Sequence, residues 1–204
     1  KIVAEELVRS GHNVSVIGYY PDIKESYVDE CINGVRVIRH NLGYRNTRLK
    51  ERLFILLRSL GISGFITKRE LSYIEDKIDA YIHDNQIDIL ELTDYYPFIL
   101  CDSPLEFKKF SVPTVLRIHG SASFIQNLSG RGKKAYDAND ERHFQRCDQV
   151  SAVSAYSMSY VQDNFKLPDI KSWNVIYNPI EDSFLKKSDP VDNDNVLFIG
   201  KLTE

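Results

Sequence analysis

The alternation of short apolar segments with amphipathic segments is the feature that most constrains how this chain can fold. Four short apolar segments, at 88–93, 113–118, 149–153 and 173–177, are separated by stretches with helical periodicity. Strands that carry apolar residues at consecutive positions are buried on both faces, as in parallel sheets covered by their crossover helices. The pattern predicts an α/β fold, with a doubly wound parallel sheet and helices on both faces.

The first forty residues predict one helix and two further strands. The helix covers 2–10 and ends at a glycine, Gly11, which is a common helix C-cap. β-Branched residues then predict a strand at 13–19, and a second strand at 35–40 follows the Asn33-Gly34 turn signal. Further helices are predicted along the chain at 47–60, 68–84, 97–110, 135–146 and 156–164.

Charge and cysteine content exclude several classes of function. The formal net charge of −3 argues against a protein that binds nucleic acid by neutralising phosphates. The three cysteines are far apart in sequence and fit neither a disulfide framework nor a zinc site, so a reducing, cytoplasmic setting is expected. The common sequence motifs of nucleotide hydrolases, dinucleotide-dependent dehydrogenases, serine esterases and zinc proteases are absent from the sequence.

His119 is the strongest candidate for a catalytic residue. It follows the apolar strand predicted at 113–118 and precedes Gly120. Ligands of parallel α/β sheets bind beyond the carboxyl ends of the strands, so this histidine is expected at the binding edge. An imidazole there can donate a hydrogen bond to a substrate oxygen or transfer a proton near neutral pH. The alternative is a loop histidine with a structural role.

A second group of candidate residues follows the strand predicted at 88–93. Glu91, Asp94 and Tyr95 combine carboxylates with an aromatic ring, a combination that suits a sugar ligand. The alternative is that Asp94 or Thr93 caps the next helix. Glu141 and the basic segment 131–134 are weaker candidates, because isolated charges on a helix or in a loop are usually solvated.

Taken in order, six segments resemble the N-terminal domain of the family 4 retaining glycosyltransferases, which have the GT-B fold. The resemblance covers essentially the whole chain, and it lies in the order and spacing of the segments. They lie at 9–16, 91–96, 113–120, 141–154, 175–180 and 196–202.

The resemblance implies a domain organisation for the chain. Residues 1–178 would form a Rossmann-like acceptor-side domain, one half of a GT-B fold whose first strand, expected before Lys1, is missing from the chain. The polar segment 179–195, which contains two prolines, would be the linker between domains. Residues 196–204 would then begin the donor-binding domain.

The resemblance also assigns roles to single residues. His119 would contact the transferred sugar or the phosphates, and Gly200 and Lys201 would bind the donor diphosphate. Acceptor binding would fall to the strand-end and helix residues Glu91, Asp94, Tyr95, Gly120, Ser121 and Glu141. The donor would be a nucleotide-diphosphate sugar, with no metal or other cofactor required.

The activity implied is transfer of a hexosyl group, with retention, to a glycan or a lipid-linked acceptor. A role in making cell-envelope polysaccharide, in the cytoplasm and in peripheral contact with the inner face of the membrane, is an extension of this reading. Two alternatives remain: an inverting GT-B glycosyltransferase, and a non-catalytic Rossmann-like binding or interaction domain. Residues 1–204 alone are expected to be inactive, because most donor contacts would lie beyond Glu204.

Overall fold

The structure is a computed structural model, which describes residues 2–20, 25–41, 63–94, 101–167 and 173–180, with the single positions 23, 52, 56 and 57. Its strands are interspersed with helices along the chain. In order they are α1 (Ile2–Arg9), β1 (Ser15–Tyr20), β2 (Tyr27–Ile32), β3 (Val35–Asn41), α2 (Ser63–Asp84), β4 (Leu90–Thr93), β5 (Thr114–Ile118), α3 (Ala122–Leu128), α4 (Lys134–Gln145), β6 (Gln149–Ala152), α5 (Ala155–Asn164) and β7 (Trp173–Val175).

The larger sheet contains four strands in the order β4-β5-β6-β7, and every pair is parallel. The register places Leu92 beside Leu116 and Leu116 beside Val150, so their side chains share one face. This sheet, with its crossover helices, confirms the predicted α/β class.

The main hydrophobic core lies against that apolar face. Leu92, Leu116 and Val150 pack there with buried residues of three helices. The helix contributions are Leu71, Ile74, Ile78 and Ile82 from α2, Phe144 from α4, and Met158 and Val161 from α5. Burial of these side chains, at roughly 25 cal/mol per Å² of apolar surface, is the main stabilising term for this part of the chain.

The smaller sheet has the order β1-β3-β2, with β1 parallel to β3 and β2 antiparallel to it. The sequence patterns did not predict β2, which adds an antiparallel strand to this smaller sheet. The Asn33-Gly34 turn joins β2 to β3, with φ of 52° and 83°. Positive φ at both central residues defines the type I′ turn that suits a two-residue hairpin.

Helix α2 contacts the smaller sheet through polar groups, while its apolar residues belong to the core on the larger sheet. The Tyr19 hydroxyl donates to the Ile74 carbonyl oxygen at 3.2 Å, and the hydroxyls of Ser15 and Tyr81 are 2.8 Å apart. Helix α1 lies against β3, where Val35 and Ile38 point to opposite faces and are both buried. Helices therefore cover both faces of the smaller sheet.

The helix predicted at 97–110 is contradicted by residues 101–110, which contain no helix. The side chain of Asn139 on α4 replaces the helical hydrogen bonds: its amide nitrogen donates to the carbonyls of Cys101 and Ser103, and its oxygen accepts from Leu105 N. Pro104 also disfavours a helix, because it lacks an N–H and restricts the residue before it.

Other differences from the predicted elements are local. Helix α3 lies in a segment for which no helix was predicted, and α2 begins at Ser63 rather than at 68. The helix predicted at 47–60 lies almost entirely outside the described residues, as does all of 181–204. None of the helices in the described residues is long and apolar enough to span a bilayer.

A buried ion pair joins α2 to the end of α4. Arg146 pairs with Glu75, and both side chains are at most 5% exposed. The second Glu75 oxygen accepts from Lys108 N at 3.0 Å, and the Arg146 guanidinium lies over the rings of Phe107 and Phe110. Because both charges are buried, removing one would leave the other without its partner.

We predict that Glu75→Ala lowers the free energy of unfolding by about 3–5 kcal/mol, the usual effect of breaking a buried ion pair. Asp76→Ala is the matched control, because Asp76 is exposed and forms only a surface pair with Lys108. That control should lose less than about 1 kcal/mol. Urea denaturation of both variants checks the prediction, and equal losses would contradict it.

Candidate functional site

The candidate site lies where β4 and β5 end beside each other. Asp94 follows β4 and is fully buried, whereas the side chain of His119, which follows β5, is exposed. Asp94 Oδ2 accepts hydrogen bonds from the backbone N–H groups of His119 at 3.0 Å and Gly120 at 2.9 Å. The carboxylate of one strand end thus fixes the backbone that presents His119.

Gly120 turns the chain away from the sheet directly after His119. Its φ of 135° lies in the region that favours glycine, so a side chain here would strain the backbone. The Asp94 N–H also donates to the Arg117 carbonyl at 3.2 Å, which continues the pairing of β4 with β5. The carboxylate and the backbone N–H of Asp94 therefore both bind the chain around His119, and together they determine the position of the His119 loop.

Ser121 and Ser123 anchor the chain after the loop. Ser121 is the N-cap of α3, and its Oγ accepts from Phe124 N at 3.1 Å. Both the N–H and the hydroxyl of Ser123 donate to Asp140 Oδ2, with the N–H at 3.0 Å. Asp140 projects from α4, so a second buried carboxylate holds the chain three residues beyond Gly120.

Burial shifts the ionisation of both carboxylates. The pKa of Asp94 is raised because its charged form is desolvated, although the N–H groups of His119 and Gly120 oppose the rise. Burial likewise raises the pKa of Asp140 to about 6, against the hydrogen bonds from Ser123, and the negative charge of Asp94 contributes to the rise. In the described part of the chain, Oδ1 of each carboxylate is buried without a hydrogen-bond partner.

The other predicted site residues take different positions. Glu91 is exposed on β4, on the sheet face opposite Leu92. Glu141 Oε1 accepts from Lys166 N at 3.0 Å, which ties α4 to the chain after α5. Tyr95, Gly200 and Lys201 lie outside the described residues. The acceptor-binding and donor-binding roles of all these residues remain predictions.

The basic segment 131–134 is partly neutralised. Lys133 Nζ pairs with Asp102 at 2.7 Å and lies over the Tyr136 ring, while Arg131 and Lys134 are exposed. Within the described ranges, no group of three or more His, Cys, Asp or Glu side chains could hold a metal ion.

Sequence reasoning missed Asp140 and Ser123, although a signal for Asp140 was present. The buried residues of α4 recur at helical spacing: Tyr136, Asn139, Asp140, His143 and Phe144. Polar residues on the buried stripe of a helix must find partners there. That position distinguishes Asp140 from the neighbouring Glu141, which the sequence singled out.

The arrangement combines an exposed imidazole with a backbone held by buried groups. Such a side chain can meet a ligand above the sheet edge and donate a hydrogen bond to one of its oxygens. A fixed backbone limits the entropy that the side chain loses when a ligand binds. The fold defines a Rossmann-like α/β domain, and the ends of β4 and β5 form its candidate ligand-binding edge.

Comparison with known proteins identifies the family. The family model described as Glycosyltransferase Family 4 matches residues 2–184, and the chain belongs to this family. The match covers the parallel sheet, both buried carboxylates and His119. Neither the curated proteins nor the solved structures gave a match to the chain.

We predict that Asp94→Ala destabilises the chain by about 2–6 kcal/mol, because two backbone N–H groups lose partners that contribute roughly 1–3 kcal/mol each. Asp94→Asn keeps an acceptor oxygen and should lose less. Glu91→Ala, an exposed carboxylate on the same strand, should change stability by no more than about 0.5 kcal/mol. Chemical denaturation orders the three variants, and a loss for Glu91→Ala as large as that for Asp94→Ala would refute the prediction.

Proposed function

We propose that this chain is the acceptor-side part of an enzyme that transfers a hexosyl group from a nucleotide-diphosphate sugar. The acceptor is a glycan or a lipid-linked acceptor, and the anomeric configuration is retained. Membership of a glycosyltransferase family supports the class of reaction. The position of His119 supports placing the reaction at the carboxyl edge of the parallel sheet.

The observation that carries this proposal is the fixed, exposed His119 at the carboxyl edge of a parallel sheet. Its backbone N–H is bound to Asp94 Oδ2 at 3.0 Å, while its side chain is open to solvent. A developing negative charge on a departing diphosphate is stabilised best by donors that are already in position. His119 therefore orients the sugar or stabilises the leaving group, without a metal ion.

The donor-binding half of the reaction is assigned to the part of the protein that follows the linker. We place the acceptor-side domain at 1–178, the linker at 179–195 and the start of the donor-binding domain at 196–204. Gly200 would allow close approach of the donor phosphates, and Lys201 would supply a positive charge to them. Lysine keeps the charge of the arginine usual in the family but lacks its bidentate geometry.

The experiment that tests the function is a screen of nucleotide sugars and acceptors with the full-length protein. Product mass identifies the transferred sugar, and proton NMR of the new glycosidic bond reports retention or inversion. EDTA should leave the rate unchanged. Inversion would support an inverting GT-B enzyme, and the absence of transfer with every donor would support a non-catalytic binding domain.

We predict that His119→Ala lowers turnover by about two to four orders of magnitude, the usual range for a positioned acid, base or charge-stabilising group. The side chain is exposed, so the free energy of unfolding should change little. His83→Ala is the control, because His83 is 91% exposed at the end of α2. Turnover of His119→Ala close to that of the control would exclude a catalytic role.

We further propose that the enzyme works in the cytoplasm, against the inner face of the membrane, in cell-envelope polysaccharide synthesis. Support comes from α3, where Ile125 is 46% and Leu128 71% exposed, next to the exposed cations Arg131 and Lys134. Apolar side chains beside basic residues suit an anionic lipid surface.

We predict that Leu128→Ser weakens binding to phosphatidylglycerol vesicles by roughly fivefold, which corresponds to about 1 kcal/mol of lost apolar burial. Ile89→Ser is the control, because Ile89 is 60% exposed just before β4, away from α3. Vesicle co-sedimentation measures both variants. Equal binding by Leu128→Ser and the wild-type chain would remove α3 from the proposed surface.

A further inference from the structure

The loop that carries His119 is held from two sides by carboxylates of different elements. Asp94, at the end of β4, binds the N–H groups of His119 and Gly120. Asp140, on α4, binds the N–H and hydroxyl of Ser123. The four residues from Gly120 to Ser123 thus lie between two anchors, and both anchors are fully buried.

The two anchors are linked through Ser121. Its Oγ lies 3.3 Å from Ser123 Oγ and caps α3 by accepting from Phe124 N. Ser123 Oγ in turn donates to Asp140, so Ser121 is connected to Asp140 through Ser123. A change in the charge of Asp140 can therefore affect Ser121, which is next to Gly120, through the Ser123 hydroxyl.

A purely structural cap does not require a second buried carboxylate here. Serine or a neutral amide would bind the Ser123 N–H without the desolvation of a charge. Asp140 is instead buried near a second carboxylate, Asp94, whose charge opposes its ionisation. In the described residues its Oδ1 has no hydrogen-bond partner, so its charge is sustained by Oδ2 alone. Such an arrangement is typical of functional sites.

We propose that Asp140 is a positioning residue for His119, which it holds in place through Ser123 and Ser121 while Asp94 holds the opposite end of the loop. The catalytic consequence rests on the proposed glycosyl transfer at His119. The mechanical consequence, that the His119–Gly120 loop responds to the charge of Asp140, does not depend on it.

Hydrogen-bond strength determines whether the His119–Gly120 loop is held more or less firmly when Asp140 ionises. Burial raises the pKa of Asp140 to about 6, so the carboxyl group is ionised at pH 8 and protonated at pH 5. Hydrogen bonds to an ionised carboxylate are roughly twice as strong as neutral ones. The loop is therefore held most firmly above pH 6 and loosens as pH falls through that value.

Among the charged groups around Asp140, Asp94 is the one whose negative charge opposes ionisation of Asp140. The charge of Asp94, at the end of β4, raises the pKa of Asp140. His119 in turn lowers the pKa of Asp94 and so favours its ionised form. From helix α3, the N–H and the hydroxyl of Ser123 bind Asp140, and both are neutral groups.

Ionisable neighbours on α4 itself are engaged elsewhere. Asp137 binds the Asn127 side chain at 3.0 Å, and Arg142 contacts Asn139. Full burial and the Arg146 charge hold the pKa of His143 well below its usual value, which favours the neutral ring.

Two unique dipeptides allow the response to be measured at single amides. His-Gly occurs only at 119–120 and Ala-Ser only at 122–123. Cell-free synthesis with ¹³C-carbonyl histidine and ¹⁵N-glycine, or with ¹³C-carbonyl alanine and ¹⁵N-serine, isolates the Gly120 or Ser123 amide in a carbonyl-correlated spectrum. Ser123 reports the charge of Asp140, and Gly120 reports whether the effect reaches the loop.

In the 204-residue chain we expect both amides to titrate with a midpoint near pH 6. Asp140→Asn should abolish the Ser123 step, and it should abolish the Gly120 step or move it to lower pH, because Asp94 loses a neighbouring negative charge. Asp137→Asn, one turn earlier on α4, should leave both steps unchanged. A Gly120 step that is the same in Asp140→Asn and in the wild-type chain would overturn the proposal.

In the full-length enzyme, Asp140→Asn should lower kcat about tenfold at pH 8 with little change in KM, since slight misplacement of a catalytic group reduces turnover. The ratio of wild-type to variant kcat should approach one at pH 5, where the wild-type residue is also neutral. A residue with only a structural role would change thermal stability without this convergence, and that result would refute the positioning role.

Two further experiments distinguish failure of the positioning role from misfolding of the variant and from failure of the proposed function. If Asp140→Asn does not fold, Ser123→Ala removes only the hydroxyl donor to Asp140 and should raise the Gly120 midpoint, since that bond favours the ionised form. If the wild-type enzyme transfers no sugar, the proposed function fails, and the amide titrations still decide whether Asp140 holds the loop.

Discussion

Burial of polar side chains on one face of α4 is the constraint on which the arrangement of the domain depends. Asn139 binds the irregular segment that begins at Cys101, Asp140 binds the start of α3, and Arg146, which caps α4, pairs with Glu75 on α2. Each group would be costly to bury alone, so each requires its partner in place. One short helix thereby fixes the position of three neighbouring parts of the chain.

At the sheet edge, the same constraint distinguishes the buried residues that hold the backbone from the exposed candidate residue, His119. Asp94 and Asp140 are buried and engaged with backbone groups, whereas His119 is exposed and its ring is open to a ligand. Both carboxylates act through N–H groups of the chain around His119. A rigid backbone under a solvent-exposed imidazole is the arrangement expected where binding energy is used to orient a substrate.

Sequence patterns predicted those parts of the fold that local periodicity determines. The strand ending at Ile118 could be predicted because apolar runs specify buried parallel strands, and this placed His119 at the carboxyl edge of the sheet. Strand β2 was missed because Asp29 and Glu30 interrupt its apolar character, although the Asn33-Gly34 turn signalled a hairpin. The helix expected at 97–110 failed for a tertiary reason, since Asn139 supplies hydrogen bonds that no local pattern reveals.

The candidate site was predictable to the extent that it depends on strand ends. Asp94 and His119 follow neighbouring strands, so their proximity follows from topology alone. Asp140 is 46 and 21 positions away from them in sequence, and only the folded chain brings it to the same loop. Its place on the buried stripe of α4, between Tyr136 and His143, was nevertheless visible in the sequence. A carboxylate on such a stripe has to bind something inside the protein, and here it binds the chain that follows the histidine.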